Sequence, residues 1–208
     1  VKDTRQHVSK ENKASHIPNL ASPFWDTTFR HKSLSAITQA GLTNNLNDGM
    51  IWGILPLLLL SQHFTSAQIG ILTAIYPAVW GLSQLISGSL SDIYSKKLLL
   101  FWGMLLQAAG ILVLTWANSF IHFAFIGAAL GIGTALVYPT FLSAIADYTN
   151  PLQRAESLGT FRFWRDLGYA IGALLTGLIA DFLGINMSIL GIGLLTALSA
   201  FVVLFRMK

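Results

Sequence analysis

The sequence predicts an all-α membrane protein of six transmembrane helices, and three observations predict it. Only 22 of 208 residues are charged, 13 basic and 9 acidic, and this 11% is under half of the roughly 25% carried by a soluble domain. Mean hydropathy is +0.60, with 53% hydrophobic residues. Six apolar segments each reach the ~20 residues that a helix needs to cross a hydrocarbon layer about 30 Å thick. Together these exclude a disordered chain, a nucleic-acid-binding domain and an ordinary soluble enzyme.

In chain order, residues 1–32 hold nine of the charges and two prolines, Pro18 and Pro23, and read as a flexible cytoplasmic arm. A transmembrane domain follows over 33–208, with spans near 35–61, 67–91, 97–117, 119–146, 161–183 and 185–205. The first starts too deep in the chain and is too long for a signal peptide. The connections 61–67, 117–121 and 182–187 contain no Lys or Arg, whereas the head, Lys96 with Lys97, the stretch 154–165 and the tail Arg206 and Lys208 hold all 13. By the positive-inside rule both termini are cytoplasmic and the three uncharged loops face outward; the expected location is the plasma (inner) membrane. The chain has no Cys, and His7, His16, His31, His63 and His122 are isolated, so neither a metal site nor a cofactor is expected.

Within the first span, Gln39, Thr43, Asn44, Asn45, Asn47 and Asp48 fall in ten residues. An ionised carboxylate at mid-depth costs about 2.5–3.5 kcal/mol on insertion scales, so Asp48 needs a protein or water neighbour. Positions 41, 44, 45, 48 and 52 share one helical face, which lets Asn44, Asn45, Asp48 and Trp52 line one cavity. Two readings stay open: a solute or proton site, or a polar network tying helices together. The fourth span carries Gly127 and Gly131 at GxxxG spacing, where a second backbone can approach closely, and Pro139, which permits a bend. Thr134 and Tyr138, one turn apart, can offer hydroxyls to the same cavity or simply pack. Gln84 and Gln107, beside small residues in the second and third spans, read as interhelical hydrogen bonds. Trp25, Trp80, Trp102, Trp116 and Trp164 read as interfacial anchors.

The segment joining the second and third spans has Gly88, Asp92, Lys96 and Lys97 at the spacing Gly-xxx-Asp-x-x-x-Lys-Lys. It resembles the signature loop of the major facilitator superfamily, with Ile93 where the family has Arg and Ser95 where it has Gly. A second stretch, Gly159, Gly168, Gly172, Ala173, Thr176 and Gly177, is similar to the family's antiporter pattern, with Ala173 for Pro and Thr176 for Gly. Its glycines at 168, 172 and 177 strip one face of Cβ atoms for tight packing. The short tail after the last span makes residues 33 onward look like the C-terminal six-helix half of such a transporter, a 3+3 inverted repeat, with the arm as the end of an inter-half linker.

The resemblance implies a secondary transporter that moves a small solute by alternating access, with the first and fourth helices of a half lining the pathway. That places Asn44, Asn45, Asp48, Trp52, Thr134 and Tyr138 in the pathway, with Asp48 binding a proton or a cationic group. Gly88, Asp92, Lys96, Lys97, Asp147, Arg162, Arg165 and Asp166 gather at cytoplasmic helix ends and are the expected gate. Expected partners are the lipid bilayer, the solute, protons if they drive the cycle, and either a missing N-terminal half or a second copy of the chain. Two rivals stand beside this reading. An intramembrane enzyme needs a nucleophile with a base in reach, and no Ser has such a mate. A non-transporting membrane subunit or scaffold fits a chain that supplies one bundle where rocking needs two.

Overall fold

Nothing in lipid satisfies a bare backbone N–H or C=O, so apolar runs of this length fold as helices. The computed structural model describes residues 17–208 and has seven α-helices there: α1 Pro23–Trp25, α2 Lys32–Ser61, α3 Ser66–Ile93, α4 Lys96–Val113, α5 Phe120–Tyr148, α6 Arg154–Leu183 and α7 Ile185–Arg206. A π-helical turn, Asp26–Arg30, leads into α2, and a 3-10 turn, Leu114–Trp116, extends α4. The first half of the expected arm, residues 1–16, lies outside the described residues.

Five helices, α3 to α7, are long and apolar enough to cross a membrane, where the sequence counts six. Helix α2 has the length, 30 residues, or about 45 Å at 1.5 Å per residue. Its polar run lowers its hydropathy, and the fold accommodates that run by enclosing the helix: twenty of its thirty residues are buried, among them Thr43, Asn44, Asn47 and Asp48. Helix α6 starts at Arg154, seven residues before the predicted span, because Ala155, Glu156 and Leu158 are good helix formers and carry the helix on past the apolar segment.

The connections are short and capped. The Thr65 side chain accepts from the Gln68 N–H while the Gln68 side chain accepts from the Thr65 N–H, a reciprocal box that starts α3. Ser119 caps α5 with one bond, its side chain accepting from the His122 N–H. Gly184 has φ +89°, a conformation that side chains oppose, and turns the chain from α6 into α7. Ser95, which stands where the signature loop has glycine, has φ −56°, so this turn does not require glycine.

Glycines set the closest helix pairs. A Cβ at Gly168 or Gly172 would fall on the backbone of Leu42 or Leu46, and one at Gly49 on Tyr169, so α2 and α6 touch backbone to backbone. Gly131 lies equally close to Tyr76 and Trp80, with Gly127 in looser contact with Ile75, and this holds α3 against α5. Gly177 has no neighbour within 4 Å. Two apolar clusters fill the bundle, one around Met50, Leu59, Leu72, Ile111 and Phe123, the other around Leu34, Met104, Phe141, Ile145 and Phe161. Residues 17–31 fold back on the opposite connection. The Leu20 N–H donates to Gln153 Oε1 at 2.7 Å, Gln153 Nε2 donates to the Leu20 carbonyl at 2.9 Å, and Trp164 Nε1 donates to Thr28 Oγ1 at 3.0 Å.

Candidate functional site

The side chains of α2 divide between two polar sites. On one side, Asn44 and Asn47 meet Gln107 of α4. Gln107 Nε2 donates to Asn44 Oδ1 at 3.0 Å, Asn47 Nδ2 donates to Gln107 Oε1 at 3.1 Å, and Thr196 Oγ1 of α7 donates to Asn47 Oδ1 at 2.7 Å. All four side chains are buried, and each amide oxygen in the set accepts at least one bond.

On the other side stands Asp48, 8% exposed. The Tyr76 hydroxyl on α3 donates to Asp48 Oδ1 and lies 3.0 Å from Thr134 Oγ1 on α5, so one oxygen chain joins three helices. Aromatic rings form its wall. Tyr76 stacks on Trp80 at 6.3 Å between centroids, Trp80 meets Tyr138 edge-on at 5.6 Å, and Trp52 lies tilted 6.3 Å from Tyr76. Trp52 is 41% exposed, so this wall opens to the outside of the chain. From α6, Arg165 Nη1 donates to the Tyr138 hydroxyl at 2.9 Å, its guanidinium lies 5.3 Å from the Tyr138 ring centre, and its other nitrogens hold Asp166 at 2.6 and 2.8 Å. A carboxylate, a phenol and a hydroxyl in series can bind or release one proton, or meet a cationic group, beside a flat apolar surface.

Of the six expected pathway residues, Asp48, Trp52, Thr134 and Tyr138 come together, bridged by Tyr76 and Trp80. Asn44 belongs to the amide network instead, because on the helix it stands about 40° from Asp48 toward Asn47. Asn45 is half-buried and accepts from Asn44 Nδ2 at 3.3 Å. The expected gate residues also divide. Lys96 Nζ pairs with Asp147 at 2.6 Å and donates to the Ser143 carbonyl at 3.3 Å, whereas Arg165 and Asp166 stand with the aromatic wall. Asp92 and Arg162 are exposed, and Gly88 and Lys97 half-buried. Tyr76 is the residue that sequence reasoning passes over, and Trp80 is read there as an interfacial anchor. The signal that marks them is their i, i+4 spacing, which puts both on the α3 face opposite the exposed Leu82, Leu85 and Ile86.

Known proteins resemble this chain in sequence and in fold. The family model of the Major Facilitator Superfamily matches residues 39–208. An uncharacterized MFS-type transporter of Methanocaldococcus jannaschii is 27% identical over 177 residues, which is 85% of this chain and 46% of that protein. Multidrug resistance protein MdtH of Aeromonas hydrophila is 29% identical over 134 residues, 61% of this chain and 34% of that protein. The chain thus spans less than half the length of these relatives. Among solved structures, a bacterial homolog to the human lysosomal transporter Spinster, inward-facing and occupied, superposes with a TM-score of 0.75 at 17% identity, covering 87% of this chain and 45% of that one.

Proposed function

The chain belongs to the major facilitator superfamily, and from that premise we propose that residues 33–208 are the C-terminal six-helix half of a secondary transporter. In this reading α2 is the sixth spanning helix, and the six form two three-helix repeats of inverted orientation. Both termini of the half face the cytoplasm, because the connections on that side hold all 13 Lys and Arg. The second bundle comes from an N-terminal half ahead of this chain or from another copy of it. The two bundles rock about a central site and carry a small solute across the plasma (inner) membrane.

The observation that carries this reading is the setting of Asp48. A carboxylate inside a helix of this kind is costly unless it has work to do. This one is buried, bonded to a phenol, and placed beside an aromatic wall that opens outward. Asp48 takes up a proton or the cationic group of the solute. The Lys96–Asp147 pair, together with Asp92, Lys97 and Arg162 as the other gate residues of this reading, biases the gate; such an exposed pair is worth under about 1 kcal/mol. The relative named for multidrug resistance makes ethidium a sensible cationic probe. Ethidium efflux from cells making the whole reading frame, measured across a range of pH, should lose its pH dependence in Asp48→Asn. An unchanged pH profile in a variant verified to be in the membrane removes Asp48 from this role.

A further inference from the structure

We propose that Tyr76 is the positioning residue through which the protonation state of Asp48 reaches α3 and α5. The inference rests on the reading of Asp48 as a group that takes up a proton or cation, and deepens it by assigning the element that responds.

The geometry begins with two helix pairs, each closed by glycines: α2 with α6 at Gly49, Gly168 and Gly172, and α3 with α5 at Gly131. Backbones in such contact cannot slide independently. The polar links between the pairs run from Asp48 on α2 to Tyr76 on α3, and from Arg165 on α6 to Tyr138 on α5. Tyr76 also reaches Thr134 at 3.0 Å, where either oxygen can be the donor. That ambiguity is the basis of the inference. A phenol has one hydrogen to donate, and a buried phenol with two oxygen neighbours must choose between them.

With Asp48 ionised, its oxygen only accepts, so the Tyr76 O–H points to Asp48 and the Thr134 O–H donates to the Tyr76 oxygen. With Asp48 protonated, the carboxyl O–H is able to donate to the Tyr76 oxygen, which frees the Tyr76 O–H to turn to Thr134 while the Thr134 O–H rotates away from the phenol. One proton is added to Asp48 from outside the chain, none passes along it, and only hydroxyl rotations follow. The Asp48–Tyr76 bond between the helix pairs, and the Tyr76–Thr134 bond within one of them, therefore reverse direction with the charge of one side chain, while the Arg165–Tyr138 link keeps its own. Tyr76 and Thr134 are 3% and 1% exposed, so both partners are shielded from bulk water. The charged and titratable groups facing Asp48 from the packed helices are Tyr76 on α3 and Arg165 on α6, whose charge Asp166 shares. On the far side of α2, α4 and α7 present the uncharged Gln107 and Thr196 to Asn44 and Asn47. The phenol is thus the hydrogen-bond donor that responds to ionisation at this carboxylate.

The test reads Asp48 directly and needs no solute. N,N′-dicyclohexylcarbodiimide enters apolar regions and modifies carboxyls in their protonated form, so labelling of the Asp48 peptide, scored by mass in membranes with Asp48→Asn as the blank, reports its state. Tyr76→Phe keeps the ring against Trp52 and Trp80, removes the donor to the carboxylate, and should raise labelling roughly tenfold at a pH where the parent is mostly ionised. Thr134→Val should raise it about twofold in the parent, since a neutral hydrogen bond contributes less. It should change nothing in Tyr76→Phe, since Thr134 acts on Asp48 only through the phenol. Thr134→Ser, which keeps the hydroxyl, should restore the parent level, and this pair of variants decides the matter if Tyr76→Phe does not fold. Unchanged labelling in Tyr76→Phe, or an equal effect of Thr134→Val in both backgrounds, overturns the proposal. Labelling does not depend on ethidium movement, so failure here and failure of the efflux test are separate results.

Discussion

The contact between α2 and α6 makes a quantitative prediction through a matched pair of glycine substitutions. At Gly168 an added Cβ would overlap the Leu42 carbonyl oxygen, with the Leu42 carbonyl carbon at 2.9 Å and Cα at 3.1 Å. All three atoms are backbone of another helix, so no side chain can swing aside and the helices must part. Overpacking of this kind costs about 1–3 kcal/mol. Alanine returns up to about 1 kcal/mol of helix propensity, leaving a net loss on the order of 1–2 kcal/mol. For a chain of this size each kcal/mol moves the melting midpoint by about 2–4 °C, so Gly168→Ala should melt about 5 °C below the parent. Gly177→Ala lies on the same helix with nothing within 4 Å, keeps the propensity gain, and should melt level with the parent or slightly above it. Gly172→Ala, facing the Leu46 backbone, should follow Gly168. Intrinsic tryptophan fluorescence during heating of the detergent-solubilised protein reads all three. Gly168→Ala melting with or above Gly177→Ala would refute the backbone contact.

Two further predictions concern the cap ahead of α2 and the amide network at its middle. His31 precedes the helix and caps it, its Nδ1 accepting from the Leu34 N–H at 3.2 Å, which only an unprotonated Nδ1 can do. Burial lowers its pKa below 6.5, against the opposing pull of Asp26 and with a smaller lowering effect from Lys208. The unfolded chain therefore binds the proton more readily. This contribution to stability is fully present above pH 6.5 and is lost as pH falls from there through the lower folded value. Melting curves across that range should show a decline that His31→Asn, an uncharged cap, flattens. In the amide network, Gln107→Met keeps the length of the side chain but leaves Asn44 Oδ1 and Asn47 Nδ2 without the bonds Gln107 makes to them, at a cost of about 1–3 kcal/mol by the same melting assay. Asn47→Leu combined with it should cost less than the two changes summed.

Much of the fold is legible because lipid imposes few choices. An apolar run of 20 residues or more has to be a helix, and a polar run inside one has to be enclosed by protein. The first rule places α3, α4, α5 and α7 within a few residues. The second explains α2, whose own hydropathy falls below that of a spanning helix while its neighbours bury it. The site is less legible. Helical periodicity gives the angle of a side chain on its own axis, and it correctly puts Asp48 and Trp52 on one face. It cannot say which neighbour waits at that angle, so Asn44, about 40° away, goes to Gln107 instead. Tyr76 escapes for a related reason. A tyrosine beside a proline in an apolar helix looks like packing or an interfacial anchor, and its meaning comes from a carboxylate 28 residues earlier and a hydroxyl 58 later.

Asn44, Asn47 and Asp48, which look alike in the sequence of α2, thus divide by the chemistry of their partners. Asn44 and Asn47 pair with neutral groups whose donors and acceptors match at any pH, so this side of the helix is fixed to α4 and α7. Asp48 pairs with groups that can each give or accept a hydrogen, so that side has two settings. A helix held by a network without ionisable members on one flank and by a titratable one on the other passes a change of charge first toward α3 and α5, and α5 in turn touches the α4 backbone where Gly103 meets Gly133. The Trp52 edge of the aromatic wall, 41% exposed beside Tyr76, is where such a change would be felt by whatever completes the pathway.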